Sequence, residues 1–158
     1  MSDVQRILET LSRGGVRFVV IGGVALVLRG SSRMTQDLDI CYARDADNLK
    51  RLATALEPLS PRLRGAPREL PFLWDDRTLR SGLNFTLTTD LGDLDLLGEV
   101  PGIGGFAEVA RGASPLDVEE LSIQVLDLDA LERSKRAAGR AKDLLDLAEL
   151  AEIRKRSR

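Results

Sequence analysis

The sequence predicts a mixed α/β (α+β) fold: a sheet of about four to five strands flanked by helices, with further helices at the C-terminus. Two patterns carry this expectation. Short apolar, β-branched runs of strand length recur along the chain, and amphipathic stretches of helical period lie between them. The strands are too few for a Rossmann domain. The 158 residues suit one domain with an ordinary core, divided into a core of about 1–128 and a helical element of about 129–158.

The elements follow in order. Ser2 caps a first helix that carries Val4, Ile7, Leu8 and Leu11 on one face and ends at Gly14-Gly15. Residues 16–21, VRFVVI, read as a buried strand. Gly22-Gly23 follow at once, then a short helix, VALVLRG, closed by Gly30, and a polar loop over 31–36. DLDICY (37–42) is a second strand. Asp45 or Asp47 caps a helix with Leu49, Leu52, Ala53 and Leu56 on one side. Pro58, Pro61, Pro67 and Pro71 punctuate an irregular stretch, a surface loop or lid. NFTLTT (84–89) and DLDLL (93–97) form a hairpin around Asp90-Leu91-Gly92. PGIGG (101–105) is a loop before a short helix near 106–111, and LSIQVLD (121–127) is a further strand. Helices fill 129–138 and about 140–154, separated or kinked at Gly139, before a frayed RKRSR tail.

Composition narrows the chemistry. The net charge is −2, so no global basic field attracts nucleic acid. There is no histidine, which removes Ser–His and Cys–His catalysis and imidazole zinc sites. Cys41 is the sole cysteine, so no internal disulfide forms. Carboxylates remain as the catalytic resource, suited to Mg²⁺ or Mn²⁺. The N-terminal stretch is charged and amphipathic, unlike a signal peptide, and no apolar run is long enough to span a bilayer. The cytoplasm is therefore the expected compartment.

The motif that carries chemistry is Gly22-Gly23 followed, after thirteen intervening residues, by Asp37-Leu38-Asp39. Residues two apart on a strand share a face, about 6.5–7 Å apart along the chain. Asp37 and Asp39 so placed can share metal ions while Leu38 enters the core. The glycines lack a Cβ and let phosphate approach the backbone where a strand turns into a helix. Each feature alone reads as a plain turn or a solvated strand face. Together, beside a buried apolar strand, they place two mutually repelling carboxylates where a metal supplies the counter-charge.

VIGGVALVLRGSSRMTQDLDI resembles the signature of the polymerase-β-type nucleotidyltransferase superfamily. The Arg33-x-Thr35-x-Asp37-x-Asp39 spacing is similar to that of small bacterial nucleotidyltransferases of the AbiEii and MenT toxin type. The resemblance covers residues 18–40 closely. It implies a third carboxylate on a neighbouring strand. Asp93 and Asp95 are both candidates; Asp95, with apolar neighbours on each side, is favoured, and Asp90 reads as a turn residue. Arg33 is placed to contact phosphate or to pair with a surface acid. Thr35 bonds the loop backbone or makes a local turn. A second stretch, Lys135 to Leu147, resembles the C-terminal Lys … (Arg/Lys)-Asp-x-x-Asp-Leu element of the same enzymes. That implies a nucleotide-binding role for Lys135 and a functional one for Asp143. Asp146 reads better as part of an ordinary charged helix face.

These readings predict a Mg²⁺-dependent (or Mn²⁺-dependent) nucleotidyltransferase using a nucleoside triphosphate. Asp37, Asp39 and Asp95 are the expected metal ligands, with Lys135 and Asp143 as further catalytic candidates. Gly22, Gly23, Arg33, Thr35 and Lys135 are expected to hold the nucleotide. The resemblance implies a tRNA 3′ end as acceptor and a cognate toxin or antitoxin protein as partner, and Arg133, Arg136 and Arg140 sharing a helix face would line an RNA groove. A protein hydroxyl, an aminoglycoside-like small molecule and an inactive protein-binding module are the alternatives.

Overall fold

The computed structural model describes residues 2–35, 37–67 and 69–156. Gln36 of the expected polar loop, Arg68 of the proline-rich stretch and the last two residues of the expected frayed tail lie outside the described residues. The elements are α1 (Asp3–Arg13), β1 (Phe18–Ile21), α2 (Gly22–Leu28), β2 (Leu38–Tyr42), α3 (Ala46–Leu56), a 3₁₀ turn (Glu57–Leu59), β3 (Arg62–Leu63), α4 (Asp76–Ser81), β4 (Asn84–Thr89), β5 (Gly92–Leu97), β6 (Glu99–Val100), β7 (Gly104–Gly105), α5 (Phe106–Arg111), β8 (Ala113–Val118), β9 (Leu121–Leu126), α6 (Leu128–Ala138) and α7 (Ala141–Arg156).

The main sheet has seven strands in the order β3-β4-β5-β2-β1-β9-β8, and β6 and β7 form a separate ribbon. The five strands expected from sequence are the five consecutive central ones, so the expected count of four to five is corrected at the sheet's two edges. β8 contains Pro115 opposite Gln124. Proline removes a ladder donor and is tolerated only where one strand side lacks a neighbour. β3 is two residues long and lies in the proline-rich stretch, where no alternation could show. α4, capped by Asp75 accepting from the Thr78 N–H at 2.8 Å, also escaped the pattern because it is only six residues long.

Alternation explains how the sheet presents carboxylates. β2 pairs antiparallel with β1 and parallel with β5, in the register Leu38↔Leu94, Asp39↔Asp95 and Ile40↔Leu96. Leu38, Ile40, Leu94 and Leu96 are fully buried. The residues between them turn to the other face, and Thr86 and Thr88 of β4 continue that polar row opposite Asp95 and Asp93. Asp37 falls one residue short of β2 and is exposed, so its placement inside the strand is corrected.

α1 opens with a capping box: Ser2 accepts from the Gln5 N–H, and the Gln5 side chain accepts from Ser2 N. Asp45, not Asp47, caps α3. α7 continues through Arg156, into the stretch expected to fray, and Arg154 there pairs with Asp129 at 2.6 Å. Among the described residues no helix is long and apolar enough to cross a membrane.

One side chain ties the central hairpin-like pair to its flanking helix. Asn48, fully buried on α3, accepts from the Arg17 N–H at 2.7 Å and donates to the carbonyls of Arg17 (3.1 Å) and Ala43 (2.7 Å). It therefore clips the residue before β1 to the residue after β2. Asn48→Ala removes the partner of the Arg17 N–H and of the Ala43 carbonyl, while the Arg17 carbonyl keeps its bond from the Ala43 N–H. The expected loss is about 2–4 kcal/mol of unfolding free energy, read by urea denaturation. A loss near zero would mean that water or backbone shifts replace the clip.

Candidate active site

The site grows from the β1–β2–β5 junction. Asp39 and Asp95 sit side by side on parallel strands and share a side-chain hydrogen bond. Gly22, the residue after β1, has φ +67, and a Cβ there would lie 2.2 Å from Asp39 Oδ2. Both the left-handed backbone and the close approach of a carboxylate require glycine. At Gly23 a Cβ would meet Thr35 Oγ1 at 3.3 Å, so Thr35 folds over the second glycine.

Burial first, then the neighbouring Asp95 charge and its hydrogen bond, push Asp39 up to about 7 from the ordinary 3.8; Lys135 and Lys142 pull weakly the other way. Two carboxylates in one partly buried space cannot both ionise without a counter-charge. One is supplied by Arg64, which sequence reading missed. Its Nη2 donates to Asp95 Oδ1 at 2.8 Å, and its Nε lies 3.2 Å from Asp93 Oδ2. Arg64 comes from the irregular stretch after β3, where nothing in the local pattern marks it. Asp93, the alternative third carboxylate, also accepts from Thr88 Oγ1 at 3.1 Å.

The C-terminal helices close the other side. Lys135 is 8% exposed, with Nζ 2.8 Å from Asp146 Oδ2 and 3.5 Å from Asp143 Oδ1. Burial lowers its pKa, and Asp143 offsets this in part. Asp143 is fully buried, which on its own would raise its pKa. The Arg140 side chain and N–H, with Lys135, outweigh that and hold it below the ordinary value. Asp146 is 4% exposed and also pairs with Arg33. Its reading as an ordinary charged helix face is thus corrected. Asp143, Asp146, Leu150 and Ile153 are the buried stripe of α7, whereas Leu144 and Leu145 point outward. Arg33 does pair with an acid, but a buried one. Of the arginines expected to line an RNA groove, Arg136 pairs with Glu132 and Arg140 with Asp143, both at 2.9 Å.

Two cavities are lined by this row of carboxylates. One, of about 390 Å³, is bordered by Gly22, Asp39, Asp95, Lys135, Arg140 and Lys142. Lys142 is exposed and takes no carboxylate partner among the described residues. The other, of about 700 Å³, holds Val24, Val27, Met34, Thr35, Asp37 and Asp93. The structure therefore brings Gly22, Asp39, Asp95, Lys135 and Asp143 together. It places Thr35 and Asp37 on the second cavity and Arg33 against Asp146 of α7. Among the described residues no three metal-binding side chains converge on one point. The donor set in this conformation is the Asp39–Asp95 pair, with Asp37 and Asp93 at its edge. Its hard oxygens fit a cation such as Mg²⁺ or Mn²⁺.

No family model matches the chain, and no curated protein matches it. Solved structures do. The chain is similar to the lincomycin-bound lincosamide antibiotic adenylyltransferase LnuA, with TM-score 0.63 and 18% identity over 96% of each chain. It is similar to ANT(2″)-Ia in complex with adenylyl-2″-tobramycin, with TM-score 0.56 and 15% identity over 98% of this chain and 97% of that one. An antigenic nucleotidyltransferase-like protein from Paracoccidioides brasiliensis matches with TM-score 0.55 and 14% identity, over 96% of this chain and 74% of that one. The chain has the nucleotidyltransferase fold.

Two outcomes follow from the geometry. Gly22→Ala strains a left-handed residue and drives a methyl into Asp39, and is expected to cost roughly 1–3 kcal/mol. The loss should shrink in an Asp39→Ala background, because the clashing oxygen is gone; equal losses in both backgrounds would exclude the contact as its cause. The second concerns pH. A carboxylate whose folded pKa is raised binds its proton more tightly in the folded state. Its contribution is complete below the unfolded value of 3.8 and lost as pH rises through about 7. In EDTA, Asp39→Asn should therefore gain stability over the natural protein across that window, reaching roughly 2 kcal/mol after allowance for solvent screening, and level off above it. A pH-independent difference in urea melts would contradict this.

Proposed function

We propose that the protein is a divalent-metal-dependent nucleotidyltransferase that moves a nucleoside monophosphate from a nucleoside triphosphate to a hydroxyl of a small molecule. The observation that supports it is the Asp39–Asp95 pair, which lines a cavity that also holds Lys135, Arg140 and Lys142, with Asp37 and Asp93 lining a second cavity. The triphosphate fits the cavity with Lys135 and Lys142, where two ammonium groups offset phosphate charge. Asp39 and Asp95, with Asp37 completing the set, would hold Mg²⁺ or Mn²⁺; when bound, such ions neutralise the α-phosphate and the departing pyrophosphate and acidify the acceptor hydroxyl. The acceptor oxygen forms a bond to the α-phosphorus, the α–β anhydride bond breaks, and pyrophosphate leaves. The hydroxyl proton passes to a carboxylate of the row. Lys135 is fixed for its part by Asp146 and Asp143, so positioning rather than covalent chemistry is what the chain contributes.

The larger cavity supports a small acceptor. Its walls are mostly apolar, and among the described residues its charged lining is Asp3, Asp37 and Asp93, with no lysine or arginine. That lining suits an amphipathic molecule with hydroxyl and amino groups and repels a polyanion. LnuA and ANT(2″)-Ia, by their names and bound compounds, act on antibiotics of small size. The toxin-type resemblance points instead to a tRNA 3′ end and a cognate partner protein. The pairing of Arg136 and Arg140 with carboxylates leaves that reading with less cationic surface than the sequence suggested.

Incubation with Mg²⁺ and each α-labelled triphosphate, against a panel of amino-hydroxyl compounds, total tRNA and cell protein, distinguishes the acceptors. Label on a small molecule, abolished by Asp39→Asn and by Asp95→Asn, is the expected result. Label on RNA or protein alone would overturn the acceptor and leave nucleotidyl transfer standing. Full transfer by both Asn variants would overturn the site.

A further inference from the structure

Arg64 is held by more than its partner carboxylates. Its backbone N–H donates to the Thr86 carbonyl at 2.9 Å, and its Nη2 also donates to the Leu87 carbonyl at 2.8 Å. The corner after β3 thus anchors the arginine, and the guanidinium reaches across β4 to the β5 carboxylates. Its Nε is buried and makes no hydrogen bond, although Asp93 lies within ion-pairing range. The side chain is less than one-third exposed, as are Asp95 and, at about one-third, Asp93. The other cations of the site lie towards the C-terminal helices. Lys135 is committed to Asp143 and Asp146, and Lys142 stands in the open at the cavity rim. No other described cation contacts Asp93 or Asp95.

We propose that Arg64 is the resident counter-ion of the acidic site, neutralising Asp93 and Asp95 in the cation-free protein and competing with a divalent cation for Asp95. The inference rests on the metal site of the preceding section. A guanidinium 2.8 Å from Asp95 and a divalent cation on the same carboxylate would repel at short range with little water between them. Loading therefore requires Arg64 to withdraw. Its backbone bond to Thr86 is independent of the guanidinium, so the side chain can leave while the corner stays in place. Arg64 also orders the Asp95 carboxylate, and removing it forfeits that. The loss of repulsion is the larger effect, because a rotamer of a short side chain costs little to fix.

Mn²⁺ binding to the full chain, followed by the paramagnetic resonance of free Mn²⁺ without nucleotide, tests this directly. Arg64→Met is expected to bind Mn²⁺ about tenfold more tightly than the natural protein. Arg64→Gln, which keeps a polar side chain, should do the same and guards against a folding defect, with circular dichroism as the check. Lys142→Met removes a positive charge from the same site without touching Asp95, so its gain should be clearly smaller. Asp95→Asn should weaken binding and erase the gain from Arg64→Met. If Arg64→Met and Arg64→Gln bind no tighter than the natural protein, or no tighter than Lys142→Met, the competition is overturned while the metal site survives. If neither the natural protein nor any Arg64 variant binds Mn²⁺, the metal site itself falls and the competition falls with it.

Discussion

Asp39 and Asp95 are forced together by a parallel strand pairing, and most of the site is a response to that repulsion. Register alone brings them side by side, because Leu38 and Ile40 must meet Leu94 and Leu96 in the core on the other face. A one-residue slip would bury the carboxylates and expose the leucines, so the apolar face fixes the polar one. The pair then needs counter-charge from outside its own strands. Arg64 approaches from the β4 side, and Lys135 and Lys142 from the C-terminal helices. Gly22 contributes by absence, since any side chain there would occupy the space that Asp39 fills.

The C-terminal helices carry a second constraint. Lys135, Asp143 and Asp146 are all buried, and removing charges from water is costly unless each is paired. Here the partners come from three places: Lys135 on α6, the two aspartates on α7, and Arg33 on the segment between α2 and β2. Ser31 on that segment donates to Glu149 of α7 at 2.9 Å, and Arg156 donates to the Gly30 carbonyl at 3.2 Å. One face of α7 therefore fastens the segment that leads into Asp37. Such a network adds little net stability compared with apolar packing. What it provides is a fixed position for the Lys135 charge and a fixed course for residues 30–33 after α2.

How much of this could be read from the sequence depended on how local the signal was. Strand alternation in DLDICY and DLDLL placed Asp39 and Asp95 on polar faces, and the glycine pair after VRFVVI marked the turn against them. Those are signals within six residues. The edge strands left weaker traces: β8 contains Pro115, and β3 is too short for any period. On α7 the pattern misled, because Leu144 and Leu145 look like core residues and Asp146 like surface. The buried stripe of Asp143, Asp146, Leu150 and Ile153 has helical spacing, but two of its four members are acidic, and their burial is intelligible only with Lys135 and Arg33 in view. Arg64 had no local signal at all. Its position follows from the β3–β4 register, Arg62↔Thr88 and Leu63↔Leu87, which is a tertiary fact.

The near-neutral net charge of the chain conceals a division that matters more than the sum. Lys135, Arg140 and Lys142 border the smaller cavity beside Asp39, Asp95 and Asp143, whereas the charged residues described at the larger one are all carboxylates. Asp39 and Asp95 line the first and Asp37 and Asp93 the second. In the proposed reaction a polyphosphate would be repelled less from the cavity with the balancing cations than from the other, and a cationic acceptor would experience the reverse. Two reactants of opposite charge would thereby be sorted towards different ends of one row of carboxylates before any specific contact forms. Electrostatic sorting of this kind acts over roughly a Debye length, about 8–10 Å at moderate ionic strength, comparable to the width of a few adjacent strands. The same row cannot sort them unless its own charge is balanced from both flanks, which is the task shared by Arg64 on one side and the buried lysine of α6 on the other.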